Sequence, residues 1–122
     1  MVPNPNVNPA FVYKIADAPP PTPIPETLPL SELDQKDGFI HLSDAKQIPI
    51  TANLFFKDSP QLWILKVSTA DMGSKLDWPD ELTGCAHLFD GSLGKHNVFD
   101  VKSWHRQDEK GWDTLLVDDW LE

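Results

Sequence analysis

Proline constrains the fold of this chain more than any other residue, because 12 of its 122 residues are proline and five of those fall within residues 19–25. Proline fixes φ and lacks the backbone N–H, so this run cannot form a helix interior or a central strand. We therefore predict a stiff, extended surface loop over residues 19–29, with docking to a proline-binding protein as the alternative. The regular elements must lie on either side of this loop.

Short runs rich in apolar, aromatic and β-branched residues predict strands on both sides of the loop. The strands are expected at residues 11–16, 39–42, 62–68, 85–89, 97–104 and 114–117. Five or six strands with turn residues between them leave little room for long helices, and the pattern favours a sheet-based domain.

Two short helices fit between these strands. One is expected within residues 27–35 behind a Thr27 or Ser31 cap, and the other begins at Pro49 with Ile50 and Leu54 facing inward. We predict a single α+β domain with a small mixed or antiparallel sheet and one or two short helices. It spans residues 11–122 after a disordered leader at residues 1–10.

The charge balance excludes one class of partner. Ten basic residues stand against 19 acidic ones, for a net charge of −9, and Arg106 is the only arginine among scattered lysines. A protein that grips duplex nucleic acid needs clustered cations, so we predict no such partner. A small anionic ligand stays open, because Lys14 with Lys95, or the N–H groups of a loop, could neutralise one phosphate.

Targeting signals are missing from this sequence. No stretch approaches the roughly 20 apolar residues that a membrane helix needs, and the first nine residues lack the basic and apolar regions of a secretory leader. The single cysteine, Cys85, has no internal disulfide partner. We therefore expect a cytoplasmic protein with no membrane partner, and the sequence leaves its oligomeric state open.

Two histidines occur in similar strand contexts. His41 and Ser43 lie two residues apart in one predicted strand, and Cys85 and His87 lie two residues apart in another. Because side chains alternate along a strand, each pair shares one face while its apolar neighbours face the core. Histidine titrates near neutral pH, so His41 and His87 are candidate acid and base groups. Structural histidines held by backbone carbonyls are the alternative.

Other chemistry finds weaker support in the residue spacing. Zinc accepts histidine and cysteine, but the chain has no Cys-x-x-Cys or His-x-x-x-His pair, so we predict no metal site. Cys85 lies in an apolar run, which predicts packing rather than nucleophilic chemistry. The loop at residues 90–97 contains two glycines and a lysine without the Walker spacing, and an ordinary turn is expected there.

Several segments together resemble a known family. They are Val12-Tyr13-Lys14-Ile15, Asp37-Gly38-Phe39-Ile40-His41-Leu42-Ser43, Asn53-Leu54-Phe55-Phe56, Trp63-Ile64-Leu65-Lys66-Val67 and His87-Leu88-Phe89-Asp90-Gly91. In this order, from about Phe11 to Trp104, they resemble the domain-of-unknown-function 952 family. The resemblance implies a small α+β fold similar to the ADP-ribosyltransferase superfamily, whose members use NAD or remove a 2′-phosphate from RNA.

The resemblance also implies a ligand cleft. The residues it implies there are His41, Ser43 and His87, with Tyr13 or Lys14 on the adjoining first strand, and Phe89 where the family often has a tyrosine. No glutamate matches the catalytic glutamate of the transferases, so ADP-ribosyl transfer to protein is not expected.

These observations lead to one functional hypothesis and two alternatives. We expect an enzyme-like domain, related to these transferases, that binds a small nucleotide such as NAD, or a phosphorylated metabolite, in a cleft with two histidines. His41 and His87 would act as acid or base, while Tyr13, Lys14, Ser43 and Phe89 would contact the ligand. The alternatives are a non-catalytic ligand-binding or protein-interaction module and a tailoring enzyme that acts on a small natural product.

Overall fold

The structure is a computed structural model that describes residues 9–70, 72–79, 84–105, 112 and 120–121. The predicted strand at 114–117 and most of the predicted leader lie outside the described residues. The helices are α1 (Glu32–Asp37) and α2 (Ile48–Phe55), with a 3-10 turn at Gly73–Lys75. The strands are β1 (Phe11–Ala16), β2 (Ile40–Ser43), β3 (Gln61–Ser68), β4 (Leu76–Asp77), β5 (Cys85–Leu88) and β6 (Val98–His105).

The six strands form one sheet in the order β4-β5-β2-β1-β3-β6, and every neighbouring pair is antiparallel. The predicted α+β class with an antiparallel sheet and two short helices is therefore confirmed. Strands β1 and β3 lie next to each other inside the sheet, each with a neighbour on both sides, and both are rich in apolar residues. None of the helices in the described part of the chain is long and apolar enough to cross a membrane.

Alternation along the strands divides the apolar residues between the two faces of the sheet. One face carries the cluster Val12, Ile40, Leu42, Leu65, Val67, Leu76, Ala86 and Leu88. The other carries Tyr13, Ile15, Leu62 and Ile64 under Ile48 and Ala52 of α2 and under Trp112. Helix α2 therefore covers only one face of the sheet.

The inward face of α2 differs from the prediction. Ile48 and Ala52 are fully buried, whereas Ile50 and Leu54 are exposed. Residues four apart lie on one side of a helix, so the burial of Ile48 selects Ala52 and turns Ile50 towards solvent. The apolar character of Ile50 and Leu54 was a misleading signal.

The proline-rich segment forms no helix or strand between β1 and α1, in line with its composition. Two backbone hydrogen bonds join it to the loop after β5: Leu28 N–H donates to the Leu93 carbonyl (2.6 Å) and Lys95 N–H donates to the Pro25 carbonyl (2.9 Å). A side chain at Gly94 would place its Cβ 1.9 Å from the Glu26 carbonyl oxygen, so this close approach requires glycine.

Helix α1 is short, and a capping residue bounds it at each end. Ser31, one of the two predicted caps, accepts a hydrogen bond from the Asp34 N–H (3.1 Å). Gly38 ends the helix in the left-handed region (φ 80°), and its N–H donates to the Asp34 carbonyl (3.0 Å). The chain then turns directly into β2, so that the acidic residues of α1 lie beside the first residues of that strand.

Candidate functional site

The structure brings the two candidate histidines together. His41 of β2 and His87 of β5 are directly opposed in the antiparallel register. Their ring centroids lie 5.5 Å apart with the ring planes 69° from each other. Opposed residues of neighbouring strands share a face of the sheet, so the two imidazoles form one surface cluster.

Two phenylalanines complete this cluster. The Phe39 ring stacks on His87, with centroids 4.1 Å apart and planes 25° apart, and it also contacts the His41 ring at 4.7 Å. Phe89 contacts Phe39 at 5.1 Å and is itself exposed. Phe39 therefore separates the histidines from Phe89 and restricts the orientation of both imidazoles.

A buried carboxylate of α1, that of Asp34, holds His41 in place through hydrogen bonds. The Asp34 side chain is only 2% exposed. Its Oδ2 accepts a hydrogen bond from Lys14 Nζ (2.6 Å), while its Oδ1 lies 2.6 Å from His41 Nδ1 and accepts the His41 backbone N–H (3.1 Å). Burial alone would raise the Asp34 pKa, but the hydrogen bonds and charge of Lys14 and the hydrogen bonds of His41 outweigh it, and the pKa is lowered. Asp34 is therefore ionised in the folded protein.

A second carboxylate from the same helix meets the other nitrogen of His41. Asp37 Oδ2 lies 3.0 Å from His41 Nε2. An ionised carboxylate offers only acceptors, so each imidazole nitrogen that faces one must carry a proton. With Asp34 on Nδ1 and Asp37 on Nε2, both imidazole nitrogens of His41 are placed to donate to carboxylate oxygens.

His87 has different surroundings. Its pKa is lowered, first by burial and then by the charge of His41, and the more weakly acting charges of Asp77 and Asp37 oppose this shift. His87 is therefore neutral at neutral pH, with one imidazole nitrogen free of a proton. Two histidines in contact thus have different surroundings: carboxylates meet both nitrogens of His41, whereas burial and the charge of His41 lower the pKa of His87.

The other residues expected in the cleft have different places. Tyr13 is fully buried in the core under α2, and Ser43 is 6% exposed. Neither has surface for a ligand, so we assign both to the core of this fold. Lys14 directs its ammonium to Asp34 and to the His41 carbonyl (3.2 Å), which makes it a support for the histidine. Phe89 keeps an exposed ring at the edge of the cluster.

The remaining candidate groups lie away from this chemistry or are unsuited to it. Burial, with a smaller effect of the Asp44 charge, raises the pKa of the Cys85 thiol, so it is a poor nucleophile. In the loop after β5, the Asn97 side chain accepts from Gly94 N–H (3.0 Å) and donates to the Ser92 carbonyl (2.9 Å), as in a closed turn. Across the described ranges, no group of three histidine, cysteine or acidic side chains is arranged to hold a metal ion.

Two cavities lie elsewhere on the molecule. One of about 220 Å³ is lined by the loop after β5, with Lys75, Asp90 and His96 among its polar residues. Another of about 390 Å³ lies between the proline-rich loop and β6. Neither includes His41 or His87, and the histidine cluster is a surface feature with its supporting carboxylate beneath it.

Sequence reasoning missed both carboxylates. Asp34 is flanked by exposed residues in a six-residue helix, and no periodic pattern distinguishes it from a solvated acidic residue. Asp37 had a usable signal, because it precedes His41 by four residues across a glycine turn, a separation that brings the two side chains together when a helix turns directly into a strand.

The fold and the site together describe an antiparallel α+β domain with a carboxylate-supported histidine pair. A family model described as "Protein of unknown function (DUF952)" matches residues 24–101, and the chain belongs to this family. The match includes both histidines and both supporting carboxylates.

Solved structures agree with this assignment. The chain is similar to protein CC0527 from Caulobacter crescentus in two X-ray crystal structures, one of them of a double mutant. The TM-score is 0.60 in both comparisons, with 25% and 26% identity over 76% of this chain and 84% of that chain. No functionally curated protein shows significant similarity to the chain.

Proposed function

We propose that this chain is an enzyme-like domain in which His41 acts as general acid and His87 as general base on a small nucleotide or phosphorylated metabolite. The observation that carries the proposal is the contrast within the pair. Both nitrogens of His41 meet carboxylates, whereas the adjacent His87 is neutral. Titratable neighbours whose surroundings push their protonation states apart are typical of acid–base sites.

This contrast fits a displacement at a phosphorus atom that carries an oxygen leaving group. His87 would take the proton of an attacking hydroxyl or water through its unprotonated nitrogen. His41 would donate its Nε2 proton to the leaving oxygen, so that the attacking oxygen forms a bond as the bond to the leaving oxygen breaks. Asp34 would keep the donating imidazole in place, and its own position is secured by Lys14.

The surrounding rings suit a planar ligand group. Phe39 lies against both histidines and Phe89 is exposed beside it, so a nucleobase or a nicotinamide ring could stack at this edge. We propose NAD or another nucleotide as the ligand on this ground and on the resemblance to the ADP-ribosyltransferase superfamily. A relation to that fold and a cytoplasmic location belong to the same proposal.

The test is a turnover screen with matched histidine variants. NAD, ADP-ribose and nucleoside 2′,3′-cyclic phosphates are incubated with the purified protein, and products are separated by chromatography. We expect turnover of one of them in the parent chain, a loss of about 100-fold or more in His41→Gln and in His87→Gln, and retention in His96→Gln. Turnover that survives both changes in the pair would show that the reaction takes place elsewhere.

A ligand-binding or interaction module is the second candidate function. It is favoured by the absence of His41 and His87 from both cavities described above, and by the engagement of both His41 nitrogens. A ligand that raises the melting temperature, loses this effect in both histidine variants and is recovered unchanged would support the module over the enzyme.

A further inference from the structure

The two carboxylates that contact the His41 imidazole differ in how easily each can move away from it. Asp34 is 2% exposed and is tied to Lys14, to the His41 ring and to the His41 backbone N–H. Asp37 is 35% exposed at the last residue of α1, and among the residues that the structure describes its carboxylate has one ion-pair contact, with His41 Nε2. Asp37 can therefore rotate away at little cost, and Asp34 cannot.

The groups around His41 Nε2 indicate which kind of group would take the place of the Asp37 carboxylate there. In the structure, Lys14 Nζ and His41 Nδ1 face the Asp34 carboxylate, and His41 Nε2 faces Asp37. When Asp37 leaves, Asp34 stays bound to Lys14 and to His41 Nδ1, and the N–H at His41 Nε2 is left without its acceptor. From β4, Asp77 is opposed in register to His87 rather than to His41, and His87 itself is neutral. Hydrogen bonds to an ionised acceptor are stronger than those to a neutral one, so an N–H that has lost a carboxylate is best satisfied by another anionic oxygen.

We infer that Asp37 occupies, on His41 Nε2, the position of an anionic ligand oxygen, and that it competes with the ligand for this position. The inference rests on the proposed function in that it assigns ligand chemistry to the same site. It adds that the ligand group next to the acid is a phosphate or carboxylate oxygen, and that Asp37 sets the affinity for it. His41 is 30% exposed, so such an oxygen can reach Nε2 from solvent.

If Asp37 competes with the ligand, replacing Asp37 changes the affinity in the opposite direction from replacing a residue that contacts the ligand. Removal of a contact residue weakens binding, whereas removal of a competitor strengthens it. A half-exposed ion pair contributes up to about 1 kcal/mol, so neutralising Asp37 should tighten anion binding about threefold to fivefold.

The experiment is a titration of the full chain with inorganic phosphate and, separately, with acetate at constant ionic strength. The side-chain nitrogen signals of His41 are followed by NMR in the parent chain, Asp37→Asn, Asp37→Ala and Asp58→Asn. Asp58 lies exposed in the turn after α2, so its variant has the same change in net charge. Amide spectra establish that each variant is folded.

We expect Asp37→Asn and Asp37→Ala to bind phosphate, acetate or both more tightly than the parent, with Asp58→Asn unchanged. Tightening for phosphate alone would assign a phosphate ester, and tightening for acetate alone would assign a carboxylate. Equal or weaker binding in the Asp37 variants, equal tightening in Asp58→Asn, or no response of His41 in any of these proteins would overturn the inference. Because the titration needs no turnover, a failed turnover screen with tightened anion binding would count against the proposed enzyme alone.

Discussion

His41 and His87 face each other across the same strand pair, yet the regions around them differ. The His41 region receives two carboxylates and a lysine from α1 and β1, which surround the imidazole with charged hydrogen-bond partners. The His87 region offers a stacked phenylalanine and burial, with carboxylates acting only at longer range. The comparison shows that register brings two like residues together, while the neighbouring elements decide which groups each imidazole contacts.

The short helix α1 explains most of this difference. It supplies Asp34 and Asp37 on the side that meets the start of β2, and the glycine turn between helix and strand keeps them within reach of His41. His87 follows no such helix and has its nearest ring partner in Phe39, which belongs to the same turn as Gly38. One helix–turn–strand unit thus orients one histidine with charge and covers the other with an aromatic ring.

The largest expected effect comes from removing the buried carboxylate. Asp34→Asn leaves the Lys14 ammonium without its charged partner and weakens the hydrogen bonds between residue 34 and His41. We therefore expect a loss of about 3 kcal/mol in the free energy of unfolding. Urea unfolding measures it. Asp37→Asn is the matched control from the same helix, and we expect it to cost at most about 1 kcal/mol because its ion pair is solvent-screened. Similar losses in the two variants would contradict the distinction between a fixed and a removable carboxylate.

A smaller effect is expected on the His87 side. His87→Gln removes the ring that Phe39 stacks on, and the loss of this aromatic contact should cost about 1 kcal/mol. His105→Gln, an exposed position on the edge strand β6, provides the control and should change stability by less than about 0.5 kcal/mol. A neutral effect of His87→Gln in urea unfolding would mean that the stacked geometry contributes nothing to stability.

The pH dependence of stability sharpens the comparison further. The folded pKa of His87 lies below its ordinary value of 6.5, so the unfolded chain binds this proton more readily, and stability is lost as the pH falls below 6.5. Asp34, with its pKa lowered from 3.8, adds a second loss only below that pH. We expect the parent chain to lose more stability than His87→Gln between pH 7 and pH 5 in urea unfolding. Parallel curves for the two proteins over this range would contradict the shift.

The sequence predicted the strands better than the site. Phe11–Ala16 was predicted to the residue, because an aromatic and β-branched run after a proline-rich stretch leaves few other interpretations. Strand β4 was missed, since two residues carry no periodicity, and the inward face of α2 was wrong because burial depended on Ile48.

For the site, alternation placed His41 and His87 each on a defined face of its strand. That they oppose each other depends on the register of β2 against β5, which a single sequence does not encode locally. Asp34 could not be predicted as a site residue from the sequence, for a related reason. Its burial comes from contacts with Lys14 on β1, 20 residues away, and with His41, so nothing in its own segment marks it. A site assembled from three elements becomes visible only when the elements are packed.

The most direct test of the central claim is the protonation state of the two histidines. Long-range proton–nitrogen correlation spectra of the 15N-labelled chain at neutral pH report each imidazole nitrogen separately, and His41→Gln and His87→Gln assign the signals. The account predicts two protonated nitrogens on His41 and a single protonated nitrogen on His87. A neutral His41, or an imidazolium at His87, would contradict it.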